Sequence, residues 1–265
     1  MNRDSSSALD NILRELGSFA VAFSGGIDSS FLLHRAKSLG IVKVIGVTIR
    51  TPYMPASEIS EAVTFARSHG IDHHVLDMEL PDAIRNNPPD RCYLCKKQLF
   101  SGLICYAEKK ELKYVIDGTN ADDSALTRPG IKAINELHVR SPLAEAGLTK
   151  NDIRDLAREA GLHIWNKPAG ACLLTRIPYN TVVKGEMLKM IELAEDLLNE
   201  YGYPGTRIRC HGDVVRIECL PDYLDRLIND PRKQLIVDEL KKIGFRYITL
   251  DLEGYRSGSM DPENR

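Results

Sequence analysis

Three groups of residues in this 265-residue chain have types and spacing that can do chemistry. The first is RCYLCKK, residues 91–97, in which Cys92 and Cys95 run straight into Lys96 and no second Cys-x-x-Cys exists anywhere in the chain. A tetrahedral zinc site takes four ligands and a thioredoxin-type pair needs a strand just before it, so the pair reads as half of a site. At i and i+3 the two thiols share one face of a helical first turn, where thiolates gain from the helix dipole. The second group centres on Cys172 in KPAGACLLTRIPY, with small residues before it and Arg176 four residues after it. That setting favours a reactive thiolate, and a buried structural cysteine is the plain alternative.

The third group is SGGIDSS, residues 24–30, at the end of an apolar strand and the start of the helical FLLHRAKSLG. Gly25 and Gly26 let the backbone turn tightly with its N–H groups exposed, and the helix N-terminus adds a positive dipole end, so the loop is built to hold phosphate. Ser24 and Ser29 can donate hydroxyl hydrogen bonds. Asp28 only accepts and would repel phosphate unless a divalent cation lies between them, which points to ATP with Mg2+. On two glycines alone a Ser/Asp-capped βα turn explains the loop as well. The chain lacks Gly-x-x-x-x-Gly-Lys-Ser/Thr, which excludes the Walker type, and lacks Gly-x-Gly-x-x-Gly, which disfavours a dinucleotide.

The elements that must position these groups change texture near Pro178. Before it, short β-rich runs (FAVAFS, VKVIGVTI, HHVLDME, YVIDGT, HVRSPL) alternate with helical stretches such as ASEISEAVTFARSHG and TKNDIRDLAREAGL. That alternation predicts an α/β domain with a doubly wound parallel sheet. After it come a long amphipathic helix, GEMLKMIELAEDLLNEYG, a hairpin of TRIRC and DVVRIEC through His-Gly-Asp, and a last strand in FRYITLDLEG. The expected boundary is close to Asn180, with residues 1–180 in the first domain and 181–265 in a smaller α+β domain.

Composition sets the class. With 43% hydrophobic residues the chain can bury a full core. Lys+Arg 35 against Asp+Glu 37 gives a formal net charge of −2 and no general grip on long nucleic acid or a membrane surface. The start, MNRDSSSALDNILRELG, is charged and has no apolar core of a signal, and no uncharged run approaches the ~20 residues that span a bilayer. The expectation is a soluble, cytoplasmic protein with no membrane partner. Six cysteines are too sparse for a disulfide framework and stay available as thiolates in a reducing compartment. Cys105, Cys210 and Cys219 read as structural, and His73 and His74, adjacent on a strand, point to opposite faces and make a poor joint metal site.

The whole string SGGIDSS after its strand resembles the PP-loop of the ATP pyrophosphatase superfamily, a HUP-like fold whose members adenylate an oxygen of a substrate and release pyrophosphate. DGTNADD at 117–123 and SPLAEAGLTKNDIRDLAREAGL at 141–162 fit the same superfamily. The resemblance implies nucleotide contacts at Ser24, Gly25, Gly26, Asp28, Ser29, Thr48, Thr119 and Asn120, with Asp122 and Asp123 on metal or capping the next helix. DRCYLCKKQLF, KPAGACLLTR, TRIRCHGDVVRIE and LDLEGYRSGSM, in that order, resemble the LarE family of ATP-dependent sulfur transferases over nearly the full chain.

That family implies adenylation of the carboxylates of a pyridinium biscarboxylate mononucleotide and their conversion to thiocarboxylates, for the nickel-pincer nucleotide cofactor of lactate racemase. In its sacrificial version the cysteine matching Cys172 gives up its own sulfur and becomes dehydroalanine. In its three-cysteine version Cys92, Cys95 and Cys172 hold a [4Fe-4S] cluster whose open iron carries a sulfide from a sulfur donor. The three family-matching cysteines favour the cluster; zinc on three cysteines and water is a weaker alternative. Lys96 and Arg176 are expected to neutralise the AMP phosphate or the developing oxyanion. Arg207 and Arg209 alternate on one strand and face one side, where two guanidiniums can grip a substrate phosphate, although cross-strand ion pairs with Arg216 and Glu218 explain them too. A homo-oligomer is implied. The rivals are a tRNA sulfur transferase, an amide synthetase that needs no cysteines, and a nucleotide-binding module without chemistry.

Overall fold

A computed structural model describes residues 2–124, 129–167 and 170–261. The chain divides into two units, Met1–Ala83 with Asp90–Gly170, and Ile84–Pro89 with Ala171–Arg265. Residues 171–180, assigned to the first domain from sequence, group with the second unit here, as does the short piece Ile84–Pro89.

The first unit runs α1 (Asn2–Leu16), β1 (Ser18–Ala22), α2 (Ile27–Ser38), β2 (Lys43–Arg50), α3 (Ala56–Ser68), β3 (His73–Asp77), α4 (Arg91–Lys109), β4 (Tyr114–Ile116), α5 (Ala121–Ser124), α6 (Pro129–Glu136), α7 (Pro142–Glu145) and α8 (Lys150–Glu159). Its four strands are all parallel in the order β3-β2-β1-β4. Successive residues of β1 serve opposite faces. Phe19 and Val21 join a core with Leu9, Leu13, Phe31 and Ile153, while Ala20 joins one with Val47, Phe100 and Leu103. Helices thus cover both faces, as an all-parallel sheet requires, and the doubly wound α/β expectation holds. HVRSPL, expected as a fifth strand, contributes only the isolated bridge of Arg140 to Ile116. Pro142 at the first position of α7 has no N–H for a ladder and its fixed φ starts the helix instead.

β1 lies between β2 and β4, so the crevice beyond the carboxyl ends of β1 and β4 is a topological switch point, where such sheets bind ligands. SGGIDSS leaves β1 there and DGTNADD leaves β4.

The second unit contains α9 (Gly185–Glu200), β5 (Arg207–His211), β6 (Val214–Glu218), α10 (Leu224–Ile228), α11 (Lys233–Ile243) and β7 (Tyr247–Leu250). β5 and β6 form the expected antiparallel hairpin, with Gly212 at φ +66° in its turn, and β7 adds parallel to β6. Among the described residues no helix is long and apolar enough to cross a membrane.

Candidate active site

The SGGIDSS loop is tied by its own serines. Ser29 Oγ donates to the Gly26 carbonyl at 3.2 Å and accepts from the Ser24 N–H at 3.3 Å, and Ser24 Oγ accepts from the Gly26 N–H at 3.3 Å. Gly25 sits at φ +73°, and a Cβ there would lie 3.0 Å from that of Ala62, so geometry and space both require glycine. Gly26 caps α2 with no side-chain hydrogen bond, which leaves the first-turn N–H groups of the helix without an intrahelical acceptor. They form a ready anion cradle.

Asp28 is the charged member of that turn. Oδ2 takes an ion pair from Lys150 Nζ at 2.5 Å, while Oδ1 is buried and has no hydrogen-bond partner among the described residues. Burial pushes the Asp28 pKa above the ordinary carboxylate value; Lys150 pulls it down, Asp123 nearby pushes it up again, and the Asn120 side chain lowers it a little. The loop after β4 closes against the same turn. A Cβ on Gly118 would stand 2.9 Å from the Ser29 nitrogen, so only glycine allows this approach. Asp117 anchors that loop by accepting from Thr119 Oγ1 at 2.5 Å and Ser141 Oγ at 2.7 Å. Asn120 Oδ1 accepts from the N–H groups of Asp122 and Asp123 at 3.0 and 3.1 Å. The cap of α5 is therefore Asn120, and Asp122 instead accepts the Lys150 N–H at 2.8 Å, docking the start of α8.

Thr48 is buried at the carboxyl end of β2, its hydroxyl donating to the Phe23 carbonyl at 2.6 Å. Its lone pair then accepts from His73 Nε2 at 2.8 Å, which puts the ring proton on that nitrogen, and burial lowers the His73 pKa to keep the ring neutral. Cys92 is exposed and Cys95 half-buried on the first turn of α4, with the Tyr53 hydroxyl 3.1 Å from Cys95 Sγ. Lys96 lies over Gly130 of α6.

In the second unit Cys172 precedes a 3-10 turn, Leu173–Arg176. Its carbonyl accepts from Thr175 Oγ1 at 2.9 Å and Arg176 Nη1 at 3.3 Å. Arg176 is buried, with a bidentate pair to Glu195 at 2.8 and 2.9 Å and a further bond to the Ala171 carbonyl at 3.0 Å. Its donors order the cysteine turn; its expected role at the AMP phosphate or the developing oxyanion is a separate one. Arg207 and Arg209 do reach one side of β5, toward Glu195 and the Thr175 carbonyl respectively, but they differ in state. Arg209 is buried and paired with Glu218 at 2.7 Å, a residue shared with Arg216 at 2.9 Å. Arg207 stands 3.8 Å from Glu195 and over the Tyr255 ring; burial, then Arg176, lowers its pKa. An arriving anion would relieve that burden at Arg207 alone.

A model of the asparagine synthase family matches residues 6–123. The chain is 38% identical over 254 residues to the pyridinium-3,5-bisthiocarboxylic acid mononucleotide synthase of Lactiplantibacillus plantarum, covering 94% of this chain and 91% of the relative. The chain belongs to the LarE family. Two uncharacterised proteins are similar over comparable lengths: one of Synechocystis, 35% identical with 96% of this chain and 97% of the relative covered, and one of Methanocaldococcus jannaschii, 36% identical with 89% and 90% covered. As a LarE-family chain it is an ATP-dependent sulfurtransferase of the PP-loop superfamily.

The groups that LarE-type chemistry calls for fit this chain unequally. The buried, unpartnered Oδ1 of Asp28 fits Mg2+, a cation that keeps most of its shell from phosphates and water and needs one or two protein carboxylates. A [4Fe-4S] cluster needs three thiolates together. Cys92 and Cys95 belong to the first unit and Cys172 to the second. Sequence reasoning missed Gly118, Lys150 and Lys167, whose Nζ donates to the Gly25 carbonyl at 3.1 Å and pairs with Glu61 at 2.5 Å. A signal existed for Lys150: Thr149 and Asp152 form a reciprocal capping box that marks it as the first residue of α8. A cation at a helix N-terminus opposes the dipole, and such local conflicts mark functional sites.

Proposed function

We propose that this enzyme adenylates the carboxylates of a pyridinium biscarboxylate mononucleotide and converts them to thiocarboxylates for a nickel-pincer nucleotide cofactor. The likeness to the Lactiplantibacillus plantarum synthase, nearly full-length on both sides, carries the reading. A carboxylate is a poor electrophile until its oxygen attacks the α-phosphorus of ATP, breaking the bond to the β-phosphate and releasing pyrophosphate. Ser24, Gly25, Gly26 and the first turn of α2 hold the phosphates, with Thr48, Thr119 and Asn120 shaping the nucleotide's surroundings and Asp28 as ligand to Mg2+, which neutralises the leaving pyrophosphate. Lys150 supplies charge at the same carboxylate. Lys96 is the candidate for the developing oxyanion.

Cys172 can supply the sulfur from its own side chain. The Cys172 thiolate attacks the acyl adenylate and expels AMP, giving a thioester. Loss of the Cys172 Cα proton then breaks the Cβ–S bond, so the substrate leaves as thiocarboxylate and residue 172 becomes dehydroalanine. Sulfide delivery through a [4Fe-4S] cluster on Cys92, Cys95 and Cys172 is the competing source, motivated by the exposed pair on a helical first turn. Arg207 is the principal candidate for the substrate phosphate, with Arg209 behind it. The first domain would supply ATP activation, the second substrate phosphate binding and contacts of a homo-oligomer.

Incubation with ATP, Mg2+ and the pyridinium biscarboxylate mononucleotide tests the activity. Pyrophosphate release that requires the mononucleotide, with a product heavier by the exchange of oxygen for sulfur, is expected. Release that ignores the mononucleotide, or an amide product when ammonia is present, overturns the reading.

A further inference from the structure

Asn87 lies in Ile84–Pro89, a segment that interrupts the first unit in sequence and belongs to the second in space. It is fully buried at φ +48°, a conformation that Asn tolerates better than most residues. Its Nδ2 lies 3.3, 2.9 and 3.0 Å from the carbonyl oxygens of Leu174, Ile177 and Pro178. Three acceptors around one atom fix the amide's orientation, because an oxygen there would face only oxygens. The backbone joins in: the Asn87 carbonyl accepts from the Asn180 N–H at 3.0 Å, and that of Arg85 from the Val183 N–H at 2.8 Å. Oδ1 is buried and accepts no hydrogen bond among the described residues, so the donors alone hold the side chain.

The Leu174 carbonyl belongs to the turn that Cys172 precedes, and those of Ile177 and Pro178 to the stretch that leaves it. Arg176 holds the entry to that turn, through the carbonyls of Ala171 and Cys172, and Asn87 holds the turn and its exit, through those of Leu174, Ile177 and Pro178. We propose that Asn87 is a positioning residue for Cys172: its amide sets the path of residues 173–180 and thereby the presentation of the thiol. The inference rests on the reading of Cys172 as the sulfur-bearing residue. The link is absent from local sequence, since 87 residues separate Asn87 from Leu174. The same segment leads within five residues to Cys92, so the chain that shapes one cysteine's turn also begins the helix of the other two.

Two variants of the full chain separate the amide from the backbone. Asn87→Gly keeps the positive φ and removes the side chain; Asn87→Asp keeps the shape and replaces donors by acceptors. Both should leave the KM for ATP and ATP–pyrophosphate exchange unchanged, while single-turnover sulfur transfer falls by about 10²-fold, the effect of misplacing a reacting group by about 1 Å. Peptide-resolved mass spectrometry should show faster alkylation of Cys172 by iodoacetamide. Amide hydrogen exchange should quicken over 173–183 and not over 18–38. Unchanged alkylation and unchanged exchange at 173–183 overturn the proposal, as does an equal loss of adenylation and transfer with general loosening, which marks a purely structural residue. Cys172→Ala serves as the control: if it still transfers sulfur the reading of Cys172 fails, and alkylation and exchange in the Asn87 variants still decide the positioning claim.

Discussion

Lys150 and Asp28 meet across 122 residues of chain, the ammonium 2.5 Å from Oδ2. The contact joins the start of α8 to the first turn of α2 and leaves the other carboxylate oxygen buried and unpartnered among the described residues. A carboxylate so placed is costly to the fold, and it is the proposed ligand to Mg2+.

Asp28→Asn should therefore separate stability from activity. Burial raises the Asp28 pKa in the folded chain, so the stability tied to its proton is fully present below the ordinary carboxylate value and is lost as pH rises through the folded value. The amide removes that loss. Thermal unfolding should show the variant gaining on the parent as pH rises from acid to neutral, while ATP–pyrophosphate exchange falls by about 10²-fold or more. Exchange at the parent's rate would end the assignment of Asp28 to the metal.

Lys150→Met removes the main partner that holds the Asp28 pKa down, leaving the weaker pull of Asn120. The carboxylate then titrates higher still, and its penalty at neutral pH grows. The melting temperature should drop at pH 7 and recover toward the parent's as the pH is lowered, and adding Asp28→Asn should abolish the pH dependence of the difference. Additive losses in that double-mutant cycle would show that the two side chains are not coupled.

These two residues show where the sequence stopped being readable. SGGIDSS announces itself because a phosphate loop is local, and Cys92 and Cys95 fall on a helical first turn as their spacing implies. Lys150 could be placed at a helix start but not opposite Asp28, since that needs the sheet order. Asn120 caps α5 where Asp122 and Asp123 were the expected candidates, because its side chain precedes the helix while theirs lie within it. Period-two alternation put Arg207 and Arg209 on one side of β5; it carries no information on the neighbouring Glu218, which claims Arg209. Ile84–Pro89 carries no local mark of the unit it joins, for the partners of the Asn87 amide and of the Arg85 and Asn87 carbonyls lie beyond residue 173.

The two arginines of β5 should accordingly fail in different ways. Arg209→Ala leaves Glu218, which is fully buried, with Arg216 and the Ser259 hydroxyl but without one of its two guanidiniums, so the cost should approach but not reach about 3–5 kcal/mol, that of a buried charge left uncompensated. Chemical denaturation should detect it. Arg207→Ala relieves a guanidinium that is already poorly compensated and should leave stability nearly unchanged while raising the KM for the mononucleotide more than that for ATP. Equal rises for both substrates would remove Arg207 from the phosphate site.

The source of sulfur divides the cysteines. Cys172 sits on a turn held by Thr175, Arg176 and Asn87, and Cys92 and Cys95 lie on α4. A cysteine that donates its own sulfur acts alone, needs no neighbouring thiolate, and works once. Protein isolated without oxygen and mixed with ATP, Mg2+ and mononucleotide should then make no more than one thiocarboxylate per chain, and peptide mass spectrometry should find residue 172 lighter by one hydrogen sulfide. Cys172→Ala should abolish transfer but spare pyrophosphate exchange, and Cys92→Ala and Cys95→Ala should retain a single turnover. Iron and acid-labile sulfide in the parent, lost together with transfer in each of the three single variants, would instead assign the sulfur to a cluster and cancel the sacrificial route.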